Sequence, residues 1–381
     1  MKRILLIALE ELRNILRDQG VFLFVLIVPL AYPLLYAFIY DNETVRDVPV
    51  AVVDLSQSPL SRQFTRMLDS TPEVAVTERC GSVEEARELN RRGEVYAIVV
   101  IPADLTRSLA RGQQGTIAVY ADMAGMLYYK SALLAATNVS LALNAELKVE
   151  RFWLGATDRQ EEVATQPIAY DYVSLFNPQS GFAAFLMPPV LMLILQQTLM
   201  LGIGMVGGGV RERYGSPVPP GPLYSRPLAT LTGRTLFYFV LYLGLAFYMF
   251  LFVTGLFGLP SLGRWTTFLA VMTPFILASV FMAMALSSLI YRREDCILLY
   301  VFMSVPLLFI SGISWPGSAV PGFWRAVGCL FPSTFATNAY VRLNSMGADF
   351  LQLRELLIPL WIQTAAYCLL TLALLKRQKK H

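Results

Sequence analysis

The sequence predicts an α-helical polytopic membrane protein of six transmembrane helices, with a large external α/β domain inserted between helices one and two. Three observations carry this. Of 381 residues, 55% are hydrophobic and only 15% charged, which excludes an ordinary soluble enzyme. Six charge-free runs are long enough to cross a bilayer: residues 21–40, 181–210, 235–263, 265–291, the first part of 296–324, and 356–375. A helix rises about 1.5 Å per residue, so about 20 apolar residues cross a hydrocarbon core of about 30 Å. Between the first two runs lies a polar segment in which β-branched stretches alternate with amphipathic ones.

In chain order, residues 1–20 open basic and then apolar, but Glu10 and Glu11 interrupt the run too early for a cleaved leader. Leu5, Ala8, Leu9, Leu12, Ile15 and Leu16 fall at helical spacing, with Glu10, Arg13, Asn14 and Arg17 on the other side. This predicts an amphipathic helix at the inner membrane surface, preferred over a simple extension of the first span. Residues 21–40 form transmembrane helix one, where Pro29 and Pro33 predict a bend. Residues 41–178 are the external domain. Strands are predicted at 48–54, 74–78, 96–102 and 115–122, and helices at 60–68, 82–92, 102–111 and 125–155. Ser58-Pro59 supplies an N-cap followed by proline at the first helical position. The long helix carries Leu127, Leu134 and Leu141 seven apart. Residues 179–381 form the membrane domain with helices two to six. Around 315–350, Pro316, Pro321 and Pro332 break an apolar stretch into short helices at the outer surface, partly re-entrant, with Trp315 and Trp324 at the interface.

Basic residues set the orientation. The proposed internal segments hold Lys2, Arg3, Arg13, Arg17, Arg211, Arg213, Arg226, Arg234, Arg292, Arg293, Lys376, Arg377, Lys379 and Lys380. The two short external loops hold Arg264, Arg325, Arg342 and Arg354. The positive-inside rule then places both termini in the cytoplasm. These basic residues belong to topology, so nucleic acid is not expected as a partner. Cys80, Cys296, Cys329 and Cys368 are scattered and the one histidine is His381, so no metal site is expected. On this topology Cys80 is expected to react with impermeant thiol reagents from outside.

Gly202, Gly204 and Gly207 spell GxGxxG, but inside a membrane run with no preceding strand. Close helix packing through Gly204 and Gly208 is the better reading. No phosphate-cradling loop and no catalytic constellation is present, and no acidic residue lies in a predicted span, so ion-coupled transport lacks its usual carboxylate. Gln196 and Gln197 are the notable polar pair in helix two. They serve either as interhelical hydrogen-bonders or as lining of a substrate path. The proline-rich segment 211–234 is the longest internal loop and, with the N-terminal helix, the surface open to an internal partner.

The order of one early span, VAVVDLSQSPLSRQFTRML, NPQSGFAAFLMPPVLMLILQQ, five further spans and SGISWPGSAVP resembles the permease subunits of type-2 ATP-binding-cassette exporters. The nearest branch is the bacterial inner-membrane exporters of drugs or envelope components. The resemblance implies a six-span subunit pairing with a second permease subunit, as a homodimer or paralogous heterodimer. It implies that this chain binds no cofactor, and that ATP and magnesium act in separate cytoplasmic ATPase subunits. Those subunits would contact Glu10, Arg13 and Arg17 of the N-terminal helix and Arg211, Glu212, Arg213 and Tyr214 after span two. The family usually continues there with an acidic helical segment; this chain has SPVPPGPLYSRPL instead, and the correspondence stops at Gly215. A periplasmic adaptor, an outer-membrane channel and membrane lipid complete the implied partners. The rival reading is a non-transporting membrane receptor or scaffold whose external domain binds a partner.

Overall fold

The computed structural model describes residues 2–40, 44–111, 113–122, 126–152, 177, 181–216, 218–312, 315 and 317–377. Pro178, Pro217, Pro316, Lys379 and Lys380 lie outside them, as do residues 125 and 153–155 of the long helix expected from the sequence. The chain divides into two compact units, Thr44–Val173 and Met1–Glu43 with Ser174–His381.

The first unit is built on four strands, β1 (Val48–Asp54), β2 (Val74–Cys80), β3 (Ala97–Ile101) and β4 (Ala118–Ala121), in the order β2-β1-β3-β4. β1 runs parallel to β2 and β3, and β4 pairs antiparallel to β3. Alternation sends Val48, Val50 and Val52 to one face and Ala51 and Val53 to the other. The first face is covered by Phe64 and Leu68 of α3 (Pro59–Asp69) and by α6 (Met126–Phe152); the second by Ala86 of α4 (Val83–Arg91). A short α5 (Leu105–Ala110) follows β3. The Ser58 hydroxyl accepts from Ser61 N at 3.1 Å and Ser61 Oγ from Ser58 N at 2.9 Å, which fixes where α3 begins.

Leu127, Leu134 and Leu141 of α6 are largely exposed, and its buried face is Ala132, Ala135, Ala136, Val139 and Leu143. Three alanines on this face let the helix lie close on the core. Cys80 is also buried, and its thiol is pushed up by burial and then by Glu85 and Glu78. Labelling there from outside is therefore expected to be slow, since the thiolate is the reacting species. Cys80 is predicted to resist a polar maleimide under conditions that modify a Tyr120→Cys thiol at the half-exposed edge strand. Equal rates at both positions count against this packing.

In the second unit, five helices among the described residues are long and apolar enough to cross a membrane: α2 (Gln19–Ile39), α7 (Phe182–Tyr214), α8 (Pro227–Leu256), α9 (Trp265–Ser287) and α13 (Phe350–Arg377). The sixth expected span is shorter. Helix α10 (Arg293–Ile310) has Arg293, Glu294 and Asp295 in its first turn, so its apolar part covers only about 22 Å. It ends where Gly312, at φ +84°, turns the chain against Gly317. The chain then forms α11 (Gly322–Gly328) and α12 (Pro332–Met346). Side chains satisfy this irregular backbone. Arg325 Nη2 donates to Gly317 O and Val320 O at 3.1 Å, Asn338 Nδ2 to Ser311 O at 2.9 Å, and Gln363 Nε2 to Cys329 O at 2.7 Å.

Helix α7 is the centre of this unit, packed by α2, α8, α9, α10 and α12 and buried along most of its length. In α2 the irregularity near the prolines is a π-turn over Leu23–Ile27, one turn ahead of Pro29. The N-terminal α1 (Lys2–Arg17) lies along α8.

Candidate coupling base and buried polar seam

Helix α1 docks through Ile7, Glu11 and Ile15, one turn apart from each other, while Leu5, Leu6, Leu9, Leu12 and Leu16 are exposed. The leucines expected to lie on the membrane surface are thus left uncovered by protein, while Ile15 of the same stripe is buried. Close approach is made possible by Gly233 of α8. A Cβ there would lie 2.8 Å from Ile7 Cβ and 3.0 Å from Ile4 O. Beside it, Arg234 Nε donates to Glu11 Oε1 at 2.6 Å and the Tyr238 hydroxyl to Glu11 Oε2 at 3.2 Å. Both charged side chains are 5% exposed or less. Arg234 was expected among the internal loop charges; it sits two turns into α8, inside the protein. The Tyr224 hydroxyl nearby is pushed up to about 12 by burial and then by the Glu11 charge.

Two further polar ties hold α1. Arg3 Nη2 donates to Pro222 O at 2.7 Å. At the other end Asp18 caps α2 by accepting from Gly20 N and Val21 N at 3.1 Å, and pairs with Arg293 of α10. Burial raises the Asp18 carboxyl, but the Arg293 hydrogen bond, the Val21 amide, the Arg293 charge and the Gly20 amide outweigh it, leaving it below its ordinary value.

The residues after span two divide. Arg211 Nη1 donates to Ser288 O at 2.7 Å and Ile290 O at 3.1 Å, with its guanidinium 4.1 Å from the Tyr291 ring centre. Glu212 Oε1 accepts from Arg293 N at 2.8 Å. Together they brace the turn between α9 and α10, Arg211 half-buried and Glu212 exposed. Arg213 and Tyr214 are exposed, as are Arg13 and Arg17, and Glu10 pairs loosely with Arg13 at 4.0 Å. The proline-rich loop lines an open groove of about 320 Å³ bounded by Tyr214, Pro219, Pro220, Tyr224 and Leu375.

Near mid-length of α7 lies a polar seam. Gln196 Oε1 accepts from Ser333 N at 2.8 Å, in the first turn of α12. Gln196 Nε2, both polar side-chain atoms of Gln197, Ser333 Oγ and Thr337 Oγ1 are buried with no partner among the described residues. Each such group costs free energy until something polar meets it. The glycines of α7 face different neighbours: a Cβ on Gly202 would run into Val25, on Gly204 would lie 2.9 Å from Cys296 Sγ, and on Gly208 3.0 Å from Arg293 Cα.

The Glu11–Arg234 pair, the Asp18–Arg293 tie and the Gln196–Ser333 bond escaped the sequence reading. The trace that could have shown the first is Glu11 lying in line with Ile7 and Ile15 at helical spacing.

These features fit a multi-pass helical membrane protein whose α1, α7, α8 and α10 are tied together by polar side chains. A family model for ABC-2 family transporter proteins matches residues 20–374, and the chain belongs to that family: it is an ABC-2 type permease, the membrane component of such a transporter. Membership implies an ATP-binding-cassette ATPase as partner. No curated protein and no solved structure matches the chain significantly.

Proposed function

We propose that this chain is the permease of an ATP-driven exporter in a bacterial inner membrane, moving a drug, lipid or other envelope-related molecule outward. The observation that carries the reading is the family match over nearly the whole chain. In this reading α10 completes a set of six crossings, both termini are cytoplasmic, and the α/β unit is periplasmic, open to an adaptor. Two permease subunits enclose the path. A separate ATPase docks on the exposed Glu10, Arg13 and Arg17 of α1 and on Arg213 and Tyr214 beside the proline-rich groove, supported by the exposure of these side chains. Arg211 and Glu212 act from behind, holding the α9–α10 turn. Gln196 and Gln197, with Ser333 and Thr337, supply polar groups at mid-depth for a polar part of the cargo, supported by their unpartnered atoms.

Energy then comes from the partner's nucleotide. Cargo uptake into inverted vesicles containing the chain and its partner ATPase should stop when the ATPase is disabled, and persist when the proton gradient is collapsed with ATP supplied. Export that follows the proton gradient and ignores ATP would sink the proposal.

A further inference from the structure

We infer that Glu11, Arg234 and Tyr238 form a registry lock that fixes one position of α1 along α8, so that the two helices move as one body. The lock stands on this chain's own geometry; its use in transport rests on the permease reading above. Helix α1 offers two apolar faces. Its leucines point away from the protein and its isoleucines pack on α8. In a membrane, apolar contact does not favour protein over lipid, so isoleucine packing alone leaves α1 free to slide or roll. The buried ionic pair removes that freedom at the middle of α1, between the Arg3–Pro222 and Asp18–Arg293 ties at its two ends. Its distance of 2.6 Å and the second bond from Tyr238 are satisfied in a single register. Displacement by one helical turn would strand both charges, Arg234 lying about 11 Å into α8 from its start at Pro227. Buried ion pairs add little net stability compared with well-packed apolar residues, and fixing register is their best-attested use. A movement imposed on α1 by an internal partner is thereby passed to α8 rather than lost as sliding.

The test measures register directly and needs no cargo. Nitroxide labels are placed on the exposed α1 and α8 positions by Leu12→Cys and Leu236→Cys, with the four native cysteines replaced, in lipid nanodiscs. Pulsed electron-electron resonance on this parent is expected to give one narrow distance peak. Glu11→Leu combined with Arg234→Met is expected to keep the parent's thermal unfolding temperature yet lose the narrow peak. Glu11→Gln, which keeps side-chain size and removes the charge, is expected to lose it too and serves if the double variant does not fold. A peak as narrow as the parent's in either folded variant overturns the lock and leaves the permease reading standing. A parent with a narrow peak but no ATP-dependent export sinks the permease reading and leaves the lock standing.

Discussion

Alanine at Gly208 is expected to destabilise the membrane unit by about 1–3 kcal/mol, the usual cost of overpacking, whereas alanine one residue on, at Gly209, costs nothing. The two glycines are adjacent in the same helix, so helix propensity cannot tell them apart; a glycine-to-alanine change in a helix otherwise gains up to about 1 kcal/mol. Their surroundings differ. A Cβ on Gly208 lies 3.0 Å from Arg293 Cα and 3.1 Å from Arg293 N, backbone that is itself held by Glu212, while the Arg293 side chain is held by Asp18. A Cβ on Gly209 meets nothing within 4 Å. Gly204 falls between them, because its obstacles are the Cys296 and Tyr300 side chains, which can rotate aside. Thermal unfolding of the three single variants in nanodiscs should therefore rank Gly208→Ala lowest, then Gly204→Ala, then Gly209→Ala. If Gly209→Ala loses as much as Gly208→Ala, α7 is not packed against α10 in this way. Leucine at Gly208 should prevent accumulation of folded protein, since no rotamer avoids the facing backbone.

Arg234→Met should cost about 3–5 kcal/mol, the penalty for leaving the partner of a buried ion pair uncompensated. Here the stranded group is Glu11, whose side chain is 1% exposed at its docked position. Glu11→Leu should cost a similar amount by stranding Arg234. Tyr238→Phe removes one hydrogen bond to the carboxylate and should cost about 1.5–3 kcal/mol. The additive expectation for the apolar double variant is far worse than either single. The physics of paired burial says it should instead recover most of the loss, so the double-mutant cycle carries a large coupling energy. Single variants that unfold within 1 °C of the parent would mean the pair is hydrated and α1 only loosely seated.

Much of the fold was legible because it rests on local rules. The runs at 21–40, 181–210, 235–263, 265–291 and 356–375 are set by the thickness of hydrocarbon, and helices follow. The strands of the α/β unit were legible for the same kind of reason. Val48 to Asp54 alternates between two covered faces, so β-branched residues fill both, and Ser58-Pro59 marks the next helix start. Of the run 296–324 only the first part was expected to lie in the membrane, and α10 ends at Ile310, ahead of the turn at Gly312.

The sequence by itself determined that this chain is a multi-pass membrane protein, where its apolar helices run, and that an α/β segment interrupts them. It also held enough order of motifs to point to the ABC-2 permeases. Only the tertiary structure decided which faces meet. A leucine stripe has the same period whether it looks at lipid or at protein, so the faces of α1 and α6 were open until packing chose the isoleucines of one and the alanines of the other. Likewise Glu11 and Arg234, 223 residues apart, read separately as one more polar residue on a surface helix and one more basic residue beside a span. Nothing local distinguishes a charge that faces water from one that faces its partner, because the partner is supplied by the fold.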